Sequence, residues 1–274
     1  VSPLLYGIVF AGIGSLSGFL NGLFGVGGGT VMVPFLIFWL LRQGVPLEQA
    51  SLEAIFLSLA TMIPVSLLSF LNHRRKGFGS IREILLLFAG GSPGAYLGAS
   101  LALLWRGPIL VLAFASLEFL MGLSMLRASG TFSFPFSRFR IPPFLFWFLT
   151  GFLSGFLSSL FGIGGGILAV PLQVQLLSQG IHSAIANSTG LIALNAGVGV
   201  GRYLLSGALS EIGENPLYPF ILAGTALLTS PLAVRLSHRF QETRLRKIYG
   251  VFLIVMAGLL ATEALKPFAV TSTE

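Results

Sequence analysis

Two glycine clusters, Gly25-Val26-Gly27-Gly28-Gly29 and Gly162-Ile163-Gly164-Gly165-Gly166, stand inside long apolar stretches. Glycine tolerates positive φ and close backbone approach, so such a bend can turn several amide N–H groups toward one point. In hydrocarbon each unpaired donor costs several kcal/mol, so these groups must face protein, water or a ligand. A short helix starting near Thr30 or Ile167 aims the positive end of its dipole at the bend. The chemistry on offer is capture of a small anion. Gly27, Gly28, Gly29, Thr30, Gly164, Gly165 and Gly166 are therefore candidate binding positions. Close helix packing is the alternative use of small residues in membranes, but two matched triplets followed by Pro34 and Pro171 exceed that need.

Polar side chains near the bends are the natural partners. Asn21 precedes the first bend and Ser158 occupies the aligned place in the second half. Asn187, Ser188 and Thr189 open the helix after the second hairpin, where Ser51, Leu52 and Glu53 stand in the first half. Such groups either contact an anion or cap their own helix. Charged residues inside apolar segments are few and expensive. Glu118 falls about ten residues into its segment, near mid-bilayer, where it is either a proton carrier or a neutral structural group. Arg202 either attracts and gates an anion or snorkels to the interface. Glu53 and Glu263 are expected near solvated helix ends. His73, His182 and His238 are expected in loops, too scattered for a metal. No metal site and no cofactor are expected.

Composition sets the class. The chain has 274 residues, 54% hydrophobic and only 9% charged, with a mean hydropathy of +0.91. Soluble domains carry roughly 25% charged residues. All nine acids are Glu, and there is neither Asp nor Cys. Those counts argue against a water-exposed enzyme, a thiolate metal site and Asp-dependent nucleotide chemistry. The net charge of +7 comes from short runs such as Arg74-Arg75-Lys76 between apolar segments, the pattern of loops beside lipid headgroups. Binding of nucleic acid is not expected. The chain reads as an all-α polytopic membrane protein.

A span needs about 20 apolar residues. Six segments fit one crossing each, at roughly 50–71, 83–105, 107–127, 186–208, 217–236 and 246–265. Residues 4–41 and 143–178 contain no charge and are too long, since either would make a helix of roughly 55 Å. Both must break at the glycines into helical hairpins, giving ten helical elements. Aligning Gly18–Pro34 with Gly155–Pro171, a shift of 137, gives eleven identities in seventeen positions. The chain is therefore a tandem duplication: a first repeat over 1–127, a basic cytoplasmic linker over 128–142 and a second repeat over 143–274. Loop charges reverse between the halves. His73, Arg74, Arg75, Lys76 and Arg82 follow the second segment of the first half, whereas Glu211 and Glu214 stand at the matching place in the second. This predicts inverted repeats with both termini extracytoplasmic.

The run Gly18-Phe-Leu-x-Gly-Leu-Phe-Gly-Val-Gly-Gly-Gly, repeated from Gly155 and followed in each half by Val-Pro, resembles the TauE/SafE family of sulfite and organosulfonate exporters and permeases. The resemblance covers essentially the whole chain. It implies transport of small sulfur-containing anions, such as sulfite or sulfoacetate, across the cytoplasmic membrane of a prokaryote. Glu53 departs from the hydroxyl that Thr189 supplies at the matching place, so the halves need not share ligand duties equally. The resulting expectation is a secondary transporter, proton-coupled through Glu118 and favouring export. The anion would be held between the two bends by Asn21, Thr30, Asn187, Ser188, Thr189 and backbone N–H groups. A passive anion channel and an uptake permease for another small oxyanion remain open alternatives. A membrane-embedded enzyme is disfavoured by the lack of Asp, Cys and intramembrane His.

Overall fold

The computed structural model describes residues 3–24, 28–127, 143–177, 179–209, 217–237 and 242–270. Among them are ten helices and no strand. They are α1 (Pro3–Phe24), α2 (Gly29–Arg42), α3 (Leu47–Arg75), α4 (Ile81–Trp105) and α5 (Pro108–Leu126), then α6 (Pro143–Phe161), α7 (Gly166–Leu176), α8 (Ile181–Leu204), α9 (Leu217–Ser237) and α10 (Glu242–Val270). Six helices among the described residues are long and apolar enough to cross a membrane. With no sheet available, helices are the means by which such segments satisfy their backbone in lipid.

Both long stretches break at their glycines, as their length requires. In the first, α1 and α2 fold back as a hairpin: Ser17 meets Gly28 beside the bend, while the rings of Tyr6 and Trp39 meet at 6.0 Å farther along. The second arms are short. At the helical rise, α2 extends about 21 Å and α7 about 16 Å, well below the ~30 Å hydrocarbon thickness. Pro34 and Pro171 lie inside these short arms at repeat-equivalent positions, each withdrawing one N–H from the helical ladder.

The chain packs as two compact units, each drawing on both halves of the sequence. Unit 1 comprises Val1–Ala54, Ala102–Ser129 and Ala208–Glu274, and unit 2 comprises Ile55–Leu101 and Gly130–Gly207. In unit 1, α1 runs parallel to α9, with Gly14 against Leu222 and Gly18 against Ala226. A Cβ at Gly18 would fall 2.3 Å from the Ala226 carbonyl oxygen, so only glycine allows this approach. Thr229 Oγ1 donates to the Ser15 carbonyl at 2.9 Å across the same pair. Elsewhere in the unit α5 and α10 pack through Gly122 and Gly250. Gly122 lies beside Ile254 while Met125 and Leu126 lie beside Gly250, so these two helices are antiparallel.

Unit 2 repeats the first of these motifs. α6 runs parallel to α4, with Gly90, Gly94 and Gly98 against the carbonyls of Phe148, Phe152 and Phe156. Gly151 and Gly155, the counterparts of Gly14 and Gly18 at the shift of 137, lie against Leu87 and Gly91. One kind of helix contact is thus used in both units, the close small-residue approach common in membranes.

Candidate functional site

The second bend is described in full and lies within unit 2. Gly162, Gly164 and Gly165 have φ of +70°, +79° and +69°, conformations that cost an L residue about 1–2 kcal/mol each. The α6 helix ends where the Gly162 N–H reaches the Ser158 carbonyl at 2.8 Å. Two serines then fix the bend by its carbonyls: Ser58 Oγ donates to Gly162 O at 2.7 Å, and Ser154 Oγ donates to Gly165 O at 3.1 Å. The bend is tightly enclosed. A Cβ at Gly164 would lie 2.8 Å from Met62 Sδ, and one at Gly165 would lie 2.4 Å from Ser154 O.

With the carbonyls engaged, the donors are left over. Among the described backbone hydrogen bonds, none uses the N–H of Gly164, Gly165 or Gly166. The Ser188 hydroxyl faces this start of α7, 3.4 Å from where a Gly166 Cβ would stand. Ser188 is 2% exposed, and its Oγ has no hydrogen-bond partner among the described residues. Ser158 Oγ is likewise buried and unpartnered. Free N–H groups at a helix start, a converging hydroxyl and a low-dielectric setting together favour a bound anion.

The other sequence candidates on α8 have different surroundings. The Asn187 side chain is fully engaged: Nδ2 donates to Glu83 Oε2 at 2.7 Å and to Gln179 Oε1 at 3.1 Å, and Oδ1 accepts from the Ser80 N–H at 2.8 Å. It ties the start of α4 to α8. Thr189 Oγ1 turns back to the Ala186 carbonyl at 2.8 Å. Arg202 lies about 22 Å farther along the helix, where Nε donates to Ser100 Oγ at 2.9 Å and the guanidinium stands 5.5 Å from the Tyr96 ring centroid. Of these candidates, only Ser188 is brought to the bend.

The first bend belongs to unit 1 and is described from Gly28 onward. Gly27 and the Asn21 side chain lie outside the described residues, as does the linker at 128–142. Gly28 has φ of −72°, an ordinary helical value, and its carbonyl accepts from Ser17 Oγ at 2.8 Å. Gly29 is buried. The Thr30 hydroxyl is hydrogen-bonded to the Tyr249 hydroxyl at 2.6 Å, and both residues are buried. Val31, Tyr249 and Leu253 form a core cluster around this contact.

Unit 1 also holds the buried acids. Glu118 lies one turn before Gly122 on α5, is 0% exposed, and has no hydrogen-bond partner for either carboxylate oxygen among the described residues. Glu53 corrects a sequence expectation, because it too is 0% exposed rather than solvated. The reason is where α3 starts: at Leu47, earlier than the apolar pattern suggested, which carries residue 53 two turns into the helix. Glu263 pairs with Lys266. His73 and His182 are helical rather than in loops, at the end of α3 and the start of α8. No group of three or more potential metal ligands occurs among the described residues.

Sequence reasoning missed Ser58, Met62, Ser154 and Tyr249. The signal for Ser154 was available: Ser17 and Ser154 are separated by the same 137 residues and make the same hydrogen bond to Gly28 and Gly165. The aligned window began one residue too late to include them. Ser58 and Met62 are joined to the bend by folding alone, with no local signal.

Comparison with known proteins finds a family and relatives named as membrane transporters. The model of the family "Sulfite exporter TauE/SafE" matches residues 10–260. The probable membrane transporter protein YunE of Bacillus subtilis is 26% identical over 94% of this chain and 98% of its own length. A probable membrane transporter protein of Haemophilus influenzae is 29% identical over 89% of this chain and 94% of its own. One from Methanocaldococcus jannaschii is 27% identical over 89% and 91%. No solved structure matches.

Proposed function

Because this chain belongs to the sulfite exporter TauE/SafE family of multi-pass membrane transporters, we propose that it moves small sulfur-containing anions, sulfite or organosulfonates such as sulfoacetate, across the cytoplasmic membrane. Transport is secondary, proceeds by alternating access, favours export and is coupled to protons through Glu118. The observation that carries this reading is the second bend, where no described backbone hydrogen bond uses the N–H groups of Gly164, Gly165 and Gly166, and where the buried Ser188 hydroxyl, without a partner among the described residues, lies against Gly166. Three tetrahedrally disposed oxygens of a sulfite or sulfonate group accept several such donors at once. A neutral solute would leave the helix dipole and most of these donors unanswered.

Two further observations support the finer parts of the reading. Glu118 has neither cation nor hydrogen-bond donor to hold its charge among the described residues, so it alternates between a neutral buried state and a charged state that must meet water or a partner. The antiparallel packing of α5 on α10 supports inverted repeats, since these are the last helices of the two halves. Halves of the same orientation would send both helices the same way. With the basic loop at residues 73–82 placed in the cytoplasm, inversion sets both termini outside.

The test is flux of sulfite and sulfoacetate into proteoliposomes under imposed proton gradients. Saturable, gradient-dependent flux is expected. Flux that neither saturates nor follows the gradient would make the protein a channel.

A further inference from the structure

Away from the bends, α1, α2 and α10 enclose a groove of about 710 Å³ in unit 1. Its walls are apolar, with Ile13 from α1, Phe35 and Phe38 from α2, and Met256 and Leu259 from α10. The helices α2 and α10 run parallel here: Thr30 meets Tyr249 near the start of each, and Phe35 packs against the cluster that includes Leu253. Arg42 and Lys266 therefore stand at the same end of the groove, together with Glu263.

The groove has the dimensions of one leaflet. The membrane-crossing part of α10 runs from Lys247 to Lys266, so Met256 sits at its middle and Lys266 at its end. That distance is about 15 Å along the axis, half of the ~30 Å hydrocarbon thickness.

Its charged end is one cation in excess. Lys266 pairs with Glu263, whereas exposed Arg42 has no ion-pair partner among the described residues. One turn before Arg42, the Trp39 indole Nε1 is buried with no acceptor among the described residues, in the position of an interfacial tryptophan.

We infer that this groove holds an acyl chain of an anionic phospholipid from the leaflet at the C-terminal end of α10, with the headgroup phosphate between Arg42 and Lys266. The guanidinium matches the phosphate in charge and fork geometry. The apolar walls give a free oxyanion nothing to bind below that end. A chain in the groove would also brace the second arm of the first hairpin against α10, beside the Thr30–Tyr249 contact. The inference stands on this groove alone and does not depend on which anion is transported.

The test uses the full chain in detergent, titrated with phosphatidylglycerol or phosphatidylcholine and read by native mass spectrometry. Phosphatidylglycerol is expected to be retained more strongly. Arg42→Gln should weaken it by about fivefold, the effect of one cation near an anionic headgroup, without altering phosphatidylcholine. Arg42 is exposed, so this substitution leaves packing intact. Leu259→Trp, which fills the groove, should reduce retention of both lipids. Equal retention of the two lipids by the native chain would overturn the inference, as would unchanged phosphatidylglycerol binding in Arg42→Gln. Displacement of the lipid by inorganic phosphate alone would overturn it too, by making the site one for free anions.

Discussion

The two glycine bends share a sequence pattern and one hydrogen bond, yet they are chemically different. In each, a serine at the equivalent position holds a glycine carbonyl, Ser17 on Gly28 and Ser154 on Gly165. Beyond that they diverge. Gly28 is helical at φ −72°, whereas Gly165 is left-handed at φ +69°. Thr30 has its hydroxyl bonded to Tyr249, while its counterpart at the shift of 137 is Ile167, which has no hydroxyl. At the second bend the Ser188 hydroxyl lies against Gly166 and has no protein partner among the described residues. The buried acids, Glu53 and Glu118, belong to the unit that holds the first bend. Two bends of similar sequence thus differ: the described part of one is bonded into neighbouring helices, and the other keeps N–H groups that no described backbone hydrogen bond uses.

Substitution of the glycines should separate the two bends most strongly. Gly165→Ala forces a side chain into a left-handed residue and sets its Cβ 2.4 Å from the Ser154 carbonyl oxygen. Sulfite binding by the purified protein should fall by more than about tenfold, because donors displaced by even 1 Å lose much of their effect. At Gly28 the backbone already suits alanine, and the nearest atom is the rotatable Ser17 Oγ at 2.7 Å. Gly28→Ala should leave affinity within about threefold and cost no more than about 1 kcal/mol of stability, the worth of the Ser17 bond. Equal losses of binding in the two variants would erase the distinction between the bends.

Next in size is the acid. Glu118→Gln fixes the side chain in a neutral form, so the pH dependence of sulfoacetate flux in proteoliposomes should disappear while equilibrium binding is retained. A sulfonate is the right probe because its own charge is constant across the neutral range. A pH profile that survives the substitution would remove Glu118 from coupling.

Thr30→Val should act on stability rather than on affinity. It removes one hydrogen bond from the buried Tyr249 hydroxyl, which costs about 1 kcal/mol in unfolding measurements, with sulfite affinity unchanged. The smallest effects sharpen the shared feature: Ser17→Ala and Ser154→Ala should each lose about 1 kcal/mol, and by similar amounts, since the bonds they remove are equivalent.

Much of the fold was legible because the bilayer limits the options. Stretches too long for one crossing had to break, and the glycines marked where; the ten helices and the folded-back first hairpin follow. The repeated sequence pattern singled out Ser158 and Gly164–Gly166 as candidates by position alone. What sequence could not supply was tertiary. Asn187 looked like a free amide at a helix start, but Ser80 and Glu83, more than a hundred residues away, occupy its hydrogen-bonding capacity. Glu53 looked solvated because the polar residues of 47–51 obscured an early helix start. Tyr249 carried no signal at all, since its role depends on meeting Thr30 from the far end of the chain.

If the second bend binds the anion, calorimetric titration of sulfite into the native protein and into Ser188→Ala will show it. The Ser188 hydroxyl has no protein partner to strand among the described residues, so its removal should not destabilise the fold. A hydrogen bond to a charged group contributes roughly 1.5–3 kcal/mol, so sulfite affinity should drop by about tenfold or more while the unfolding temperature without ligand stays the same or rises. Unchanged sulfite affinity in this variant would place the anion elsewhere.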